Sequence, residues 1–180
     1  MTVRASSWGA LFDCAFKWEG EHMLGMRRPS SLRASLGTAV HAGTAAFDQA
    51  RLDGSPIRAD DAAEVFVDAL QNPAEEVDYK SDTTINLTEA ETIGLALTVK
   101  YCLDVAPLFR YKSVEMKLNP LEIECDDEIT IRLTGTMDRA RVADNGTGIV
   151  IPDVKTGSRI IENGEVSLKG KGAQLGVYQF

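Results

Sequence analysis

Two aspartates and a lysine in the last third of the sequence have the types and spacing that metal-assisted phosphodiester hydrolysis needs. Asp138 lies seven residues before an Asn145-Gly146 pair, and Asp153 lies seven residues after it. Asn-Gly favours a two-residue type I′ hairpin turn. Such a turn predicts that Asp138 and Asp153 face each other across two strands, with Cβ atoms about 4.5–5.5 Å apart. Lys155 is two residues beyond Asp153 and is therefore expected on the same face.

Facing carboxylates repel each other unless a positive charge lies between them. Mg²⁺ or Mn²⁺ fits this position, because both prefer oxygen ligands, and the backbone carbonyl of Val154 offers one more. The metal would polarise a phosphoryl oxygen, while Lys155 would hold or deprotonate the attacking water. Two alternatives stay open at this point. Asp153 and Lys155 can form a surface salt bridge beside an unrelated Asp138, and a β-bulge would shift the register.

The elements that must position these residues change in type halfway along the chain. The first half predicts helices, and the second half predicts strands with alternating apolar residues. The helices are expected from Ser6 or Ser7 through Trp18 to Gly20, over about 36–52, over about 61–70, and from a capping box at 88–91 to Pro107. The strands are expected over 111–118, 129–134 and 148–154, followed by a glycine- and lysine-containing connection over 157–172 and a last helix from Ala173. Helices followed by an antiparallel meander indicate an α+β fold with a central sheet flanked by helices, in one domain over 1–180.

Four segments resemble, in the same order, the motifs of the PD-(D/E)xK nuclease superfamily and of its RecB-like exonuclease branch. Residues 36–41 (LGTAVH) are similar to a helical motif that ends in a histidine. Residues 135–139 (GTMDR) and 152–157 (PDVKTG) are similar to the two strand motifs of the catalytic core. Gln174 and Tyr178 match a Q-x-x-x-Y helix motif. The resemblance covers about residues 36–178 and implies a restriction-endonuclease-like fold, with the chain truncated at its C-terminus relative to the family.

The resemblance also implies a role for each matching residue. His41, Asp138 and Asp153 would be metal ligands, and Lys155 would be the catalytic lysine. Glu115, on the strand before the hairpin, would support the metal site, although an exposed strand glutamate is an equal alternative. Gln174 and Tyr178 would support the site and contact DNA. Small residues beside His41 (Gly37, Ala42, Gly43 and Ala45) are expected to let its helix approach the sheet closely.

These roles predict an Mg²⁺- or Mn²⁺-dependent deoxyribonuclease, an exonuclease in phage or bacterial recombination or repair. Its partners would be DNA, as single strands or duplex ends, and other recombination proteins. Some relatives bind an iron–sulfur cluster through one N-terminal and three C-terminal cysteines. Cys14 could be the first, but no C-terminal trio follows, which argues against a cluster. The alternatives are a catalytically silent DNA-binding or assembly module on the same fold, and an unrelated acidic interaction domain.

Composition limits these expectations further. The 180 residues are 44% hydrophobic, and no apolar run is long enough for a membrane span or a secretory signal, which predicts a cytoplasmic protein. The net charge of −8 argues against a protein that coats DNA through charge alone. Basic pairs such as Arg139 with Arg141 are expected at the solvated surface. The three cysteines are far apart and predict no disulfide framework.

Overall fold

The computed structural model describes residues 1–125, 129–156, 161–162, 165–166 and 176. It is a mixed structure of helices and small sheets, which confirms the predicted α+β, restriction-endonuclease-like class. The helices are α1 (Ala5–Asp13), α2 (Ala15–His22), α3 (Leu32–Leu52), α4 (Ala59–Gln71) and α5 (Leu87–Lys100). The strands are β1 (Thr2–Arg4), β2 (Ser30–Ser31), β3 (Val77–Asp78), β4 (Ser113–Lys117), β5 (Leu121–Glu124), β6 (Thr130–Thr134), β7 (Thr136–Val142), β8 (Ile149–Val150), β9 (Ile161–Glu162) and β10 (Glu165–Val166).

The chain divides into two compact units, and the first is built around a three-stranded sheet. Unit 1 comprises Met1–Arg28, Glu115–Met137 and Ser158–Phe180. In its sheet β6 lies between β1, which runs parallel to it, and β5, which runs antiparallel. Val3 pairs with Leu133, and both side chains pack with Trp18 in a small buried core. The sequence patterns predicted β6 but neither of its two partners.

Unit 2 contains the helices α3, α4 and α5 and comprises Pro29–Val114 and Asp138–Gly157. Its main core joins these three helices, and Phe66 and Leu36 are among its buried members. A Cβ at Gly94 would lie 2.1 Å from the Phe66 ring, so only glycine lets α5 approach α4 this closely. A Cβ at Gly43 would lie 2.8 Å from the carbonyl oxygen of Ala62 on α4. The expectation that Gly43 brings α3 close to the sheet is therefore wrong, because this glycine faces a helix.

Several element boundaries differ from the sequence prediction for local reasons. The first predicted helix is divided at Cys14, whose backbone is extended with φ −161° and ψ 95°. Helix α3 begins four residues before Leu36, because the Ser31 hydroxyl accepts from the Ala34 amide at 3.2 Å and caps it. The capping box of α5 is formed by Asn86 and Glu89, rather than by residues 88–91. Each donates a backbone amide to the other's side chain, at 2.9 and 3.0 Å.

Helix α5 does not continue regularly to Pro107. After Lys100 the backbone forms a π-helical turn over Tyr101–Val105 and then a 3₁₀ turn over Ala106–Leu108. A π-turn inserts an extra residue into a helix and changes the direction in which the following side chains point. Here the buried Tyr101 lies at its first position, where its hydroxyl reaches Asp48 on α3.

The hairpin between β7 and β8 has the predicted register but a different turn. Arg141 pairs with Val150 and Val142 pairs with Ile149, which is the predicted register, but the ladder ends at Val150, before Asp153. The connection is longer than the predicted two residues: the Gly146 amide donates to the Ala143 carbonyl, and the Ala143 amide donates to the Gly148 carbonyl. Positive φ values occur at Gly146 and Gly148 and not at Asn145, so a type I′ turn is wrong. The connection between the strands spans residues 143–148 and is therefore two residues longer on each side, which leaves the register unchanged.

The second strand of this hairpin is much shorter than the predicted 148–154. Strand β8 ends at Val150, and the segment that carries Asp153 and Lys155 is irregular. Within the described part of the chain, no helix is long and apolar enough to cross a membrane.

Candidate active site

Strand β7 and helix α3 place Asp138 and His41 side by side in unit 2. The Asp138 Oδ2 atom lies 3.4 Å from His41 Nδ1, and about a quarter of each side chain is exposed. Burial raises the pKa of Asp138 and outweighs the lowering effect of the neighbouring His41. Hydrogen bonding and repulsion by Asp153 raise this pKa further, while Lys155 opposes the shift. The two carboxylates that the hairpin register predicted to be neighbours therefore interact.

The other ring nitrogen of His41 points at the chain just after β8. Its Nε2 atom lies 2.5 Å from the carbonyl oxygen of Val154. A carbonyl oxygen only accepts hydrogen bonds, so this contact requires a proton on Nε2. When only Nε2 is protonated, Nδ1 presents a lone pair towards Asp138. A histidine that donates one N–H to a backbone carbonyl and offers the other nitrogen is the usual arrangement of a metal ligand.

Asp153 and Lys155 are in contact, although their segment lies beyond the end of β8 and is not the strand that their spacing assumed. Lys155 Nζ donates to Asp153 Oδ1 at 2.7 Å, and each side chain is about one-third exposed. The Val154 side chain between them packs against a buried cluster that contains Ala62 and Tyr101. This anchoring turns the two charged side chains away from the core and towards solvent.

Helix α3 also approaches this segment closely. A Cβ at Gly37 would lie 3.2 Å from the Thr156 hydroxyl, so a larger side chain there would press on the segment that carries Lys155. Gly37 thus faces the segment beyond the end of β8, and Gly43 faces α4, so neither glycine approaches a strand as the small-residue pattern predicted.

One carboxylate oxygen in this cluster, Asp138 Oδ2, is buried and has no hydrogen-bond donor among the described residues. A buried carboxylate oxygen without a donor is costly. Two ligand atoms that each lie about 2.1 Å from a divalent cation, at a right angle, are about 3 Å apart. The 3.4 Å between this oxygen and His41 Nδ1 is close to that value. The oxygen-rich donor set, with one imidazole, therefore fits a divalent cation.

A buried ion pair, which the sequence analysis missed, holds the two elements together. Arg139 is fully buried, and its Nε donates to Asp48 Oδ2 at 2.6 Å. The expectation that Arg139 belongs to a surface basic pair is wrong. Successive residues of a strand point to opposite faces, so Arg139 points into the core if Asp138 points towards the site. Burial acts to lower the pKa of Arg139, but its bond to Asp48 outweighs this and raises it.

The same pair fixes the backbone of both candidate ligands. Arg139 Nη1 donates to the carbonyl oxygen of Asp138 at 2.8 Å, and Nη2 donates to the Thr44 hydroxyl at 3.4 Å. The Thr44 hydroxyl in turn shares its proton between the carbonyl oxygens of residues 40 and 41 of its own helix, at 2.9 and 3.1 Å. His41, Thr44 and Asp48 follow each other at intervals of three and four residues on α3, so they share one face. That polar stripe on a helix of small and apolar residues is the signal by which the sequence could have revealed the network.

Two tyrosines complete the network around Asp48. The Tyr101 hydroxyl donates to Asp48 Oδ2 at 2.6 Å, and the Tyr111 hydroxyl lies 3.2 Å from that of Tyr101. Burial, followed by the bonds to Asp48 and Tyr111, raises the pKa of Tyr101 far above its usual range. The second oxygen, Asp48 Oδ1, has no hydrogen-bond donor among the described residues, and Arg51 Nη1 lies 3.9 Å from it.

Glu115, the third predicted carboxylate, is an exposed residue of β4 in unit 1. Its φ of 47° is the only positive value at a non-glycine residue in the described ranges. A left-handed backbone is uncommon for a residue with a Cβ, and such strain is often found at functional sites. The predicted contacts of Gln174 and Tyr178 lie outside the described residues, as does the predicted helix from Ala173.

All three cysteines are free: Cys102 is buried, and Cys14 and Cys125 are exposed. Burial raises the pKa of the Cys102 thiol to about 11, so this side chain is neutral at physiological pH.

Comparison with known proteins gave one match. Neither the curated proteins nor the solved structures contain a protein that matches the chain. A family model described as the PD-(D/E)XK nuclease superfamily matches residues 5–180, which is nearly the whole sequence. The chain therefore belongs to the PD-(D/E)XK nuclease superfamily.

Proposed function

We propose that this protein is a DNA nuclease that depends on Mg²⁺ or Mn²⁺ and hydrolyses phosphodiester bonds. The observation that carries the proposal is the cluster in unit 2. A buried Asp138 oxygen without a donor faces a histidine nitrogen, and Asp138 also interacts with Asp153, which is bonded to Lys155. Within a nuclease superfamily, two carboxylates, an imidazole and a lysine at one place are the groups that this reaction requires.

The proposed ligands are His41, Asp138 and Asp153, with the carbonyl oxygen of Val154 either as a further ligand or as the acceptor that orients His41. When bound, the metal would polarise the scissile phosphate and neutralise charge that develops on it. Its presence would also remove the repulsion between the two aspartates and satisfy Asp138 Oδ2, whose burial is otherwise unfavourable.

Lys155 is the proposed catalytic residue. Its ammonium group is held by Asp153 at 2.7 Å and is one-third exposed, so a substrate phosphate can reach it. In the reaction a water oxygen forms a bond to phosphorus, and the bond from phosphorus to the leaving deoxyribose oxygen breaks. The water proton is removed as this happens, and the leaving oxygen takes up a proton. Lys155 would orient the water or accept its proton, and would offset negative charge on the phosphate.

Three further residues are proposed as supporting groups. Glu115 would add a carboxylate that assists metal binding, and the strained backbone at this position supports a functional role. Gln174 and Tyr178 would support the site and contact DNA, which is a proposal from the family motif alone.

By analogy with the RecB-like branch, we propose exonuclease action on single strands or duplex ends. The same analogy suggests a role in phage or bacterial recombination or repair in the cytoplasm, together with other recombination proteins. Residues 1–180 would then form one nuclease domain. This part of the proposal rests on family analogy rather than on geometry.

The test is cleavage of end-labelled linear DNA in the presence of Mn²⁺. The wild-type protein is expected to shorten the DNA, and EDTA or the Lys155→Ala variant is expected to stop this. Lys80→Ala removes an exposed lysine from a loop and serves as the matched control. Equal cleavage by Lys155→Ala and wild type would contradict the assigned role of the lysine.

Absence of cleavage by the wild type would leave two alternatives, which calorimetry with Mn²⁺ separates. A silent module on the nuclease fold would retain a Mn²⁺ site that Asp138→Ala abolishes. An unrelated acidic domain would show no site that depends on Asp138.

A further inference from the structure

A basic groove lies at the end of unit 2 where α3 terminates. It encloses about 710 Å³ and is lined by Phe109, Arg110, Tyr111, Lys112 and Arg141, among others. A second hollow of about 310 Å³ shares Phe109, Arg110 and Tyr111 and extends to Arg51 and Asp48. We propose that this groove, named here the Arg110 groove, binds the phosphate backbone of a single DNA strand. The inference rests on the proposed function, because it assigns the path of that enzyme's substrate.

The local backbone explains why cations collect here. Phe109 is extended, with φ −124° and ψ 146°, and the Lys112 amide donates to the Ala140 carbonyl at 2.7 Å. In an extended segment successive side chains point to opposite sides. Phe109 and Tyr111 are half-buried and stack with ring centroids 5.9 Å apart, while Arg110 and Lys112 are exposed. The segment thus has an aromatic side and a basic side.

The cations of the groove are poorly neutralised, although the chain as a whole carries a net charge of −8. In the described part of the chain, no carboxylate forms an ion pair with Arg110 or Lys112. Arg141 does bond to a carboxylate, Asp144, at 2.6 Å. However, the Asp144 side chain is 89% exposed, so a phosphate can compete with it. The other carboxylate, Asp48, is fully buried and already bonded to Arg139.

One donor in the groove also lacks an acceptor. The guanidinium of Arg141 lies 5.5 Å from the Phe109 ring centroid, and its Nε atom is buried without an acceptor among the described residues. A buried donor that has lost water and gained no partner is unfavourable, and an anionic oxygen would satisfy it. Basic side chains placed beside aromatic rings are typical of surfaces that bind single-stranded nucleic acid.

The groove and the candidate active site share strand β7 and helix α3. Arg141 is three residues from Asp138 on β7, which is about 10 Å along the strand and, because side chains alternate, places it on the other face. Arg51 is ten residues from His41 on α3, which is about 15 Å along a helix. A flexible single strand that contacts both places would therefore have to bend from one face of β7 to the other.

The experiment measures binding of a fluorescent single-stranded DNA in EDTA, where no cleavage occurs, over a range of salt concentrations. Arg110→Ala/Lys112→Ala is compared with Arg58→Ala/Lys80→Ala, which removes the same two charges from exposed positions elsewhere in unit 2. Each lost phosphate contact on a single strand lowers the slope of log K against log salt by about 0.7, so the groove variant should lose about 1.4. The control variant should retain the wild-type slope.

Two results would contradict the proposed role of the groove. One is an equal salt dependence of DNA binding for the two double variants, and the other is tighter binding of duplex than of single-stranded DNA of the same length. Arg110→Gln/Lys112→Gln repeats the test with longer side chains and guards against a folding defect. In cleavage assays the groove variant should raise KM and leave kcat nearly unchanged. If wild-type protein binds DNA through the groove but never cleaves it, the proposed nuclease activity fails and the groove stands. If the protein cleaves and the groove variant behaves as the control does, the groove fails and the activity stands.

Discussion

The buried pair of Asp48 and Arg139 gives the sharpest quantitative expectation. In the Asp48→Ala variant the fully buried Arg139 guanidinium keeps its charge but loses the carboxylate at 2.6 Å. Removal of one partner from a buried ion pair costs about 3–5 kcal/mol, because the remaining charge is left without water or a counter-ion. For a chain of 180 residues each kcal/mol lowers the melting temperature by about 2–4 °C, so a fall of about 6–20 °C is expected.

The assay is urea unfolding followed by tryptophan fluorescence and circular dichroism, with two comparison variants. Asp104→Ala breaks an ion pair of similar length, to Lys100 at 2.8 Å, but both of its side chains are mostly exposed. It is expected to leave the unfolding midpoint unchanged. Asp48→Ala/Arg139→Met removes both buried charges and is expected to be more stable than Asp48→Ala. If Asp48→Ala unfolds at the wild-type midpoint, or the double variant is the less stable of the two, the ion-pair argument is wrong.

The same substitution also tests the coupling between the network and the metal site. Arg139 holds the carbonyl oxygen of Asp138, and Thr44 links Arg139 to the carbonyl oxygen of His41. Loss of groups that orient metal ligands commonly lowers metal affinity by about 10–100-fold. Mn²⁺ calorimetry on Asp48→Ala, well below its melting temperature, should show a decrease of this size. An unchanged affinity in a folded variant would show that the ligands are positioned without Arg139.

Three further predictions concern charge, packing and capping. Burial raises the pKa of Asp138 above its ordinary value of 3.8, so the protonated carboxyl group favours the folded state. This contribution to the free energy of unfolding is complete below about pH 3.8 and is lost as the pH rises through the pKa of the folded state. Metal-free Asp138→Asn should therefore be at least as stable as wild type at pH 7 but should gain no stability from Mn²⁺, and melting curves with and without the metal check both points. Gly94→Ala should destabilise unit 2 by about 1–3 kcal/mol, because the added Cβ would lie 2.1 Å from the buried Phe66 ring. Urea unfolding measures this change, and an unfolding midpoint equal to that of the wild type would contradict it. Asn86→Ala should cost about 1 kcal/mol by removing the helix cap of α5, whereas Thr88→Ala, which lies in the box expected from sequence, should cost less in the same measurement.

The candidate site could be predicted from sequence where the signal was local. The Asn145-Gly146 pair marked the hairpin, and the spacing of Asp138 and Asp153 about it predicted their register even though the turn itself is longer. The register was correct because a loop extended by the same number of residues on each side keeps the same residues opposite each other. The predicted length of β8 was wrong: Pro152 has no backbone N–H to donate to a ladder, and the described residues 151–156 form no strand.

The predictions that were wrong or missing depend on contacts between segments far apart in sequence. Strand β1 was missed because its three residues gain their structure only by pairing with β6, about 130 positions later. Gly43 was assigned to the wrong neighbour because a glycine shows that something approaches closely, but not which element it is. The burial of Arg139 has the same origin, since an arginine in a sequence indicates a surface residue unless its partner is known.

The arginine beside Asp138 illustrates how a metal site and a fold can share one strand. Neighbouring strand residues point to opposite faces, so an acidic and a basic residue in succession do not form an ion pair with each other, and each side chain interacts with different partners. If Arg139 faced the same side as Asp138, it would compete with a cation for the carboxylate. Because it is bonded to Asp48 instead, its charge is satisfied by helix α3, and it bears on the site through its bonds to the Asp138 carbonyl and to Thr44. The Asp-Arg pair therefore presents one charge to the proposed metal site and uses the other to fix the distance between the strand and the helix that carries His41.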